Sequence, residues 1–154
     1  MANKKTKEWT SKLISASETF PLRQQMRPLR LQNEQGNPED LDPLSFHVGC
    51  FCEEKLIGIA SFNLEPHPDF VARAPYRLRG MATDSDFQGQ GVGRITLQFG
   101  FAELARRQSD FLWCNARVSA FSFYEKMGFS LHGPIFDIPS IGPHKVMYKR
   151  GVQA

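Results

Sequence analysis

The sequence predicts a mixed α/β fold built on a central, partly parallel sheet. Three observations carry this. A strand, a helix and a second strand follow one another between Tyr76 and Ala116, with lengths that suit a parallel crossover unit. Alternating apolar runs on either side of that unit read as antiparallel hairpins. The 154 residues are 41% hydrophobic and 23% charged, ordinary values for one globular domain with a real core.

The elements follow in order. Met1 to Lys7 is basic but no apolar segment follows it, so residues 1–8 read as a flexible lead-in rather than a signal peptide, and 9–154 as the domain. Ser17 is placed to cap a helix running to about Met26, with Pro21 tolerated in the first turn. Arg27 to Leu44 is a polar loop containing Pro and Gly. At about 18 residues it exceeds the ~12–15 of an idle loop, so it is expected to cover a site or to contain a short helix. Phe46 to Cys52 alternates, with Phe46, Val48, Cys50 and Cys52 on one face. Glu53-Glu54 turns the chain, and Lys55 to Leu64 returns as the second arm of a hairpin.

Tyr76 to Thr83 is the next strand, and Phe111 to Ala116, apolar on both faces at its start, is a central one. The helix between them spans about Gly91 to Gln108. Its polar positions Thr96, Gly100, Glu103 and Arg107 form one narrow stripe, and the largely apolar remainder predicts packing on more than one side. A second helix, Ser119 to Met127, stops at Gly128, a natural left-handed cap. Ser130 to Phe136 and His144 to Lys149 close the domain as a hairpin around Pro139 to Pro143.

Several function classes are excluded at this level. The net charge is +3, and no dense Lys/Arg block lies beyond the first seven residues, so no nucleic-acid stripe is expected. No run approaches the ~20 apolar residues of a membrane helix. Three cysteines without disulfide spacing suit a reducing cytoplasm. His47, Cys50 and Cys52 resemble a metal-ligand spacing only weakly, because a strand points His47 away from the two cysteines and no fourth ligand is evident. No metal is expected.

The segment richest in chemistry is Asp84-Ser85-Asp86-Phe87-Gln88-Gly89-Gln90-Gly91-Val92-Gly93-Arg94, between a strand end and a helix start. Glycines there let the backbone approach a ligand closely, and free N–H groups at a helix N-terminus attract phosphate oxygens. A Walker loop needs Gly-Lys-Ser/Thr, which is absent, and a dinucleotide fingerprint meets Arg94 where it needs a small residue. Taken alone, the loop is either a phosphate cradle or a glycine-rich helix start without a ligand.

Gln88-x-x-Gly91-x-Gly93 matches the Arg/Gln-x-x-Gly-x-Gly/Ala pattern of the GCN5-related N-acetyltransferases. Leu78-Arg79-Gly80-Met81-Ala82-Thr83, Leu112-Trp113-Cys114-Asn115-Ala116-Arg117 and Gly142-Pro143-His144-Lys145-Val146-Met147-Tyr148 closely resemble the glyphosate N-acetyltransferase subgroup. Phe46-His47-Val48-Gly49 and Ile57 to Phe62 do so as well. The resemblance runs from about Thr19 to the C-terminus, and the phosphate loop is nearer the general superfamily pattern than the subgroup's own. It implies a single-domain fold with a central mixed, twisted sheet of six to seven strands, parallel and splayed at the centre and flanked by helices.

The resemblance also implies roles. Acetyl would pass directly from acetyl-coenzyme A to an amine. A primary amine is largely protonated at pH 7 and needs a base, for which histidine is suited. By resemblance that base is His144, and Tyr124 protonates the departing thiolate. Gln88, Gly89, Gln90, Gly91, Val92, Gly93 and Arg94 would hold the diphosphate. Met81, Ala82 and Thr83 would offer backbone groups to the pantetheine arm, the N–H of Met81 also to the developing oxyanion, and Asn115 would order that arm. Arg27, Arg79 and Arg117 would bind a small anionic amine.

From the residues alone each role has a structural counterpart: a strand-end histidine, a core aromatic, a satisfied amide, arginines in ion pairs. Acetylation of a peptide amine and a non-catalytic acyl-coenzyme A-binding module stay open as alternatives. The chain is expected to be a monomer or weak homodimer.

Overall fold

The computed structural model describes residues 8–26 and 38–151. The first strand, β1 (Trp9–Ile14), is an edge strand that sequence analysis did not anticipate. Its weak alternation and its exposed Lys12 suit a position where one side of the ladder faces solvent. A 3-10 turn, Ser17–Thr19, leads into helix α1 (Phe20–Met26). Ser17 is not the cap. Ser15 N donates to Glu18 Oε1 at 2.7 Å while Glu18 N donates to Ser15 Oγ at 3.4 Å, the reciprocal pairing of a capping box two residues upstream. The loop expected over 27–44 ends in a 3-10 turn, Pro38–Leu41; its residues 27–37, Arg27 among them, lie outside those described.

Then come β2 (Phe46–Cys52), β3 (Lys55–Leu64), β4 (Pro75–Thr83), helix α2 (Val92–Arg106), β5 (Phe111–Arg117), helix α3 (Phe121–Lys126), β6 (Ser130–Ile138) and β7 (Gly142–Arg150). The seven strands form one mixed sheet, ordered β1-β2-β3-β4-β5-β7-β6. Only β4 and β5 run parallel, with α2 as their crossover. The expected α/β class is the observed one.

The core lies between the sheet and α2. Phe46, Val48, Ala60, Phe62, Leu78, Leu112, Cys114 and Met147 meet Leu97, Phe101 and Leu104, while Phe123 and Tyr124 of α3 pack at the margin. The predicted polar stripe of α2 does not face solvent: Thr96, Gly100 and Glu103 are buried, and Arg94, Gln98, Ala102 and Arg106 point outward. Each buried position is satisfied locally. Thr96 Oγ1 donates to the Val92 carbonyl at 2.7 Å, Gly100 makes room for the Phe62 ring, and Glu103 pairs with Arg106 at 2.6 Å and Arg107 at 2.7 Å.

The opposite face of the sheet carries polar groups. α1 lies there, and its buried Arg23 grips Asp40 through two nitrogens at 2.6 and 3.1 Å and donates to Ser61 Oγ at 2.6 Å. His47 completes the cluster, its Nδ1 bonded to Ser61 Oγ at 2.8 Å and its Nε2 facing the Asp40 carbonyl at 3.4 Å. Burial, and to a lesser degree the Arg23 charge, hold the His47 pKa below its ordinary 6.5, outweighing the carbonyl and carboxylate of Asp40. Unfolded chains therefore take up a proton here before folded ones do. The stabilisation is complete above about pH 6.5 and drains away as pH falls below it. His67, also lowered chiefly by burial, acts in the same sense. Thermal midpoints are expected to fall between pH 7.5 and 5.5, and His47→Gln to flatten that slope. Equal slopes in the two proteins would remove His47 as a cause.

Candidate active site

The site begins where a ladder stops. Strand β4 pairs with β5 through only three residues, Pro75–Phe111, Tyr76–Leu112 and Arg77–Trp113. Beyond Arg77, β4 keeps its antiparallel partner β3, with Ala82 opposite Ile59 and Thr83 opposite Gly58, while β5 stays with β7 as far as Arg117–His144. Between the two strands the sheet opens. The register shift against β3 falls here too, at Gly80, which has a left-handed φ of 60°. The left-handed φ favours glycine here, and a Cβ on Gly80 would lie 3.0 Å from Arg23 Nε, a tight contact.

The strand leaves this opening into the phosphate-loop segment. Asp84 accepts from Asp86 N at 2.9 Å and shapes a 3-10 turn, Ser85–Phe87. Gly89 and Gly91 follow with φ of 78° and 93°, and Gly91 caps α2 without any side-chain bond to its first amides. Those amides are unmet by the helix itself and by the cap. A Cβ at Gly89 would meet nothing within 4 Å, and one at Gly91 would lie 3.5 Å from an Arg94 nitrogen, so that guanidinium lies over the turn. Free N–H groups, no side-chain bulk and an adjacent cation fit a diphosphate. Val92 is buried against Cys50 and Ile57 and can contribute only through its backbone. The Gln88 amide donates to the Thr83 carbonyl at 3.3 Å and Gln90 to the Asp86 carbonyl at 3.4 Å, tying the loop to the strand end.

Alternation along the strands sorts the remaining candidates by face. Asn115 and Arg117 of β5 and His144 of β7 share the face opposite α2, with Arg117 and His144 directly paired in register. His144 is buried, and its Nδ1 lies 2.7 Å from the Gly142 carbonyl. A carbonyl only accepts, so Nδ1 carries the hydrogen and the Nε2 of the neutral ring keeps its lone pair. Tyr124 lies on the α2 side, its hydroxyl 3.7 Å from Met81 Sδ and its ring edge-on to Phe123 and Phe129. Burial, the largest influence, pushes its phenol pKa far up, so it remains a proton donor at any working pH. Burial likewise pushes the Cys114 thiol up to about 12, which removes it as a nucleophile.

Residues 10–129 match the acetyltransferase (GNAT) family. The chain belongs to that family. Over 139 residues it is 38% identical to the uncharacterized N-acetyltransferase YitI of Bacillus subtilis (strain 168), spanning 90% of this chain and 93% of the relative. Among solved structures it is similar to Escherichia coli ElaA, with a TM-score of 0.72, 17% identity and coverage of 93% and 99% of the two chains. It is also similar to the PaiA N-acetyltransferase from Thermoplasma acidophilum in complex with coenzyme A, with a TM-score of 0.69, 14% identity and coverage of 93% and 99%. The protein is an acyl-coenzyme A-dependent N-acetyltransferase with a single seven-stranded GNAT sheet.

The three arginines expected to bind an anionic acceptor differ in their surroundings. Arg117 is solvent-exposed at the strand end. Arg79 keeps 22% of its side-chain surface and is already engaged, by Asn63 Oδ1 at 3.1 Å, Glu65 at 3.5 Å and Glu39 at 3.7 Å. Arg27 lies outside the described residues. Sequence reasoning missed the partners Asn63, Glu65, Arg77 and Glu39, and the signal was there: Ser61, Asn63 and Glu65, then Arg77 and Arg79, recur at a spacing of two.

The loop geometry yields a test. Alanine at position 91 would disfavour the left-handed turn by about 1–2 kcal/mol and thin the population able to bind. Gly91→Ala is expected to weaken coenzyme A binding about tenfold by calorimetry, with helix content unchanged by circular dichroism. Wild-type affinity would separate the turn from cofactor binding.

Proposed function

We propose that this enzyme moves acetyl from acetyl-coenzyme A directly to the amine of a small acceptor carrying an anionic group, with His144 as general base and Tyr124 as general acid. The observation that carries the reading is the placement of His144, its Nε2 lone pair left for chemistry, opposite the exposed cation Arg117 at the mouth of the splayed strands. The coenzyme would supply the activated acetyl thioester; the Gly89–Arg94 turn would hold its diphosphate, and Met81, Ala82, Thr83 and Asn115 would hold its pantetheine arm.

The acceptor arrives on the face of Arg117 and His144. His144 Nε2 takes a proton from the ammonium, and the freed nitrogen adds to the thioester carbonyl, whose π electrons move onto oxygen; that oxyanion then re-forms the carbonyl as the C–S bond breaks. The electron pair of that bond leaves on sulfur and Tyr124 supplies its proton; the acylated nitrogen gives up its second proton, which restores the Tyr124 hydroxyl, and the proton on His144 passes to solvent. The Met81 N–H, on the stretch of β4 without a β5 register partner, is the group assigned here to the developing oxyanion.

The likeness to the glyphosate N-acetyltransferase subgroup supports an amino-acid or aminophosphonate type of acceptor. Peptide acetylation is the competing reading. Free-thiol release from acetyl-coenzyme A is expected with amino acids or aminophosphonates and not with peptides. Release with peptides alone would overturn the small-acceptor claim. His144→Ala is expected to lower kcat about 100- to 10,000-fold while coenzyme A affinity stays within about threefold. Undiminished turnover would remove His144 as the base.

A further inference from the structure

The acceptor face carries more charge than its resemblance requires. Arg77 and Arg79 are two residues apart on one strand and share this face, with Asn63 opposite Arg77 and Ser61 opposite Arg79 in the β3–β4 register. Two such guanidiniums alone would invite a doubly charged anion. The protein answers them with its own carboxylates. Glu65 Oε2 accepts from Arg77 at 3.1 Å, and Glu65 Oε1 faces Arg79 at 3.5 Å and accepts from the Asn63 amide at 3.0 Å. The same Asn63 accepts from Arg79 Nε at 3.1 Å, closing a ring of hydrogen bonds, and Glu39 adds a second carboxylate 3.7 Å from Arg79.

Glu65 is fixed from behind as well. Its backbone carbonyl accepts from Trp113 Nε1 at 2.9 Å, and Arg77 stacks on that Trp113 ring, 4.7 Å from its centroid. Burial opposes ionisation of Glu65, yet the Asn63 hydrogen bond and the Arg77 and Arg79 charges outweigh it and hold the carboxyl below its usual range. Glu65 is therefore an anion at neutral pH. Arg77 and Arg79 against Glu39 and Glu65 sum to zero, and at the splayed end of this face Arg117 has no ion-pair partner among the described residues, while Arg150, at the other end, lies over the Phe70 and Phe111 rings.

We propose that Glu65, assisted by Glu39, is a specificity-determining residue that cancels Arg77 and Arg79, so that the site takes an amine bearing one anionic group, seated by Arg117, and disfavours acceptors with two such groups. This rests on the acceptor reading above. A second negative group entering beside Arg79 would displace Glu65 from a built network or sit against its like charge, and either is unfavourable in a partly buried site.

The test uses free amino acids of nearly equal shape and different charge: asparagine against aspartate, and glutamine against glutamate. Calorimetric affinity for the coenzyme A-bound enzyme is measured beside kcat/KM. In the wild type the singly charged member of each pair is expected to bind at least about tenfold more tightly. Glu65→Gln should shift that ratio about tenfold toward aspartate and glutamate, and Glu39→Gln, the longer contact, should shift it the same way by less. Glu65→Gln/Arg79→Gln, which removes one charge of each sign, should return toward the wild-type ratio, whereas a purely structural role for Glu65 would not.

A wild-type preference for aspartate and glutamate, no binding of either member of both pairs, or a ratio unmoved by Glu65→Gln overturns the proposal. Binding with the expected ratio but no thiol release would leave it standing and overturn the catalytic reading instead, so the two failures are distinct. Thermal midpoints of each variant report whether the fold survives.

Discussion

The ladder between β4 and β5 ends after three residue pairs, and the chemistry of this protein depends on that interruption. Two parallel strands that stayed paired would consume their edge amides on each other. Here one strand is held to β3 and the other to β7, so each keeps an antiparallel partner while the shared edge opens. The free groups are tolerable only where they face a ligand or solvent, since unpaired backbone groups are costly when buried. The same opening lies beside the start of α2, whose first amides are also unmet. Strand edge and helix start thus present donors to one extended ligand.

What keeps the opening in place lies behind it. Arg23, Asp40, Ser61 and His47 form a buried polar cluster joining α1 and the 38–41 turn to β2 and β3. Taking such charges out of water is expensive, and a well-packed apolar substitute is often no less stable. The cluster is better understood through the position it imposes. Ser61 is the register partner of Arg79, Arg23 crowds the Gly80 bulge, and Asp40 is adjacent to Glu39, which faces Arg79. A buried ion pair tolerates little displacement, so it fixes the bulge from which the strands part and the counter-charges beside the acceptor.

The sequence was legible where one principle dominated. Strand β3 was read at its observed bounds as the returning arm of a hairpin after the Glu53-Glu54 turn. The α2 start was legible because glycines at 89, 91 and 93 admit few other uses. Strand β1 was not, because an edge strand half open to water needs little hydrophobic signal. The stripe on α2 was identified but its burial was not: Thr96, Gly100 and Glu103 each carry a local solution that makes burial possible. Arg79 was singled out while its neutralising partners were not. Ion pairs across strands depend on register, and register becomes visible only when Asn63 is seen opposite Arg77.

The titration states narrow the chemistry further. An acetyl group could in principle rest on a protein thiol before reaching the amine, and Cys114 lies in β5 close to Tyr124. With its pKa near 12, roughly one Cys114 in 10,000 to 100,000 would be ionised near pH 7.5, and the thiolate is the nucleophilic form. Cys50 is raised by burial too, on the far side of the α2 start. Tyr124 cannot serve as nucleophile either, since the environment that raises its pKa keeps it a donor. Among these groups only His144 offers a lone pair, and it stands beside the cation that would hold the acceptor. In the proposed reaction a base beside the acceptor and a donor beside the leaving sulfur would suffice for one transfer, and an acyl-enzyme would require from Cys114 the one ionisation state that its burial denies it.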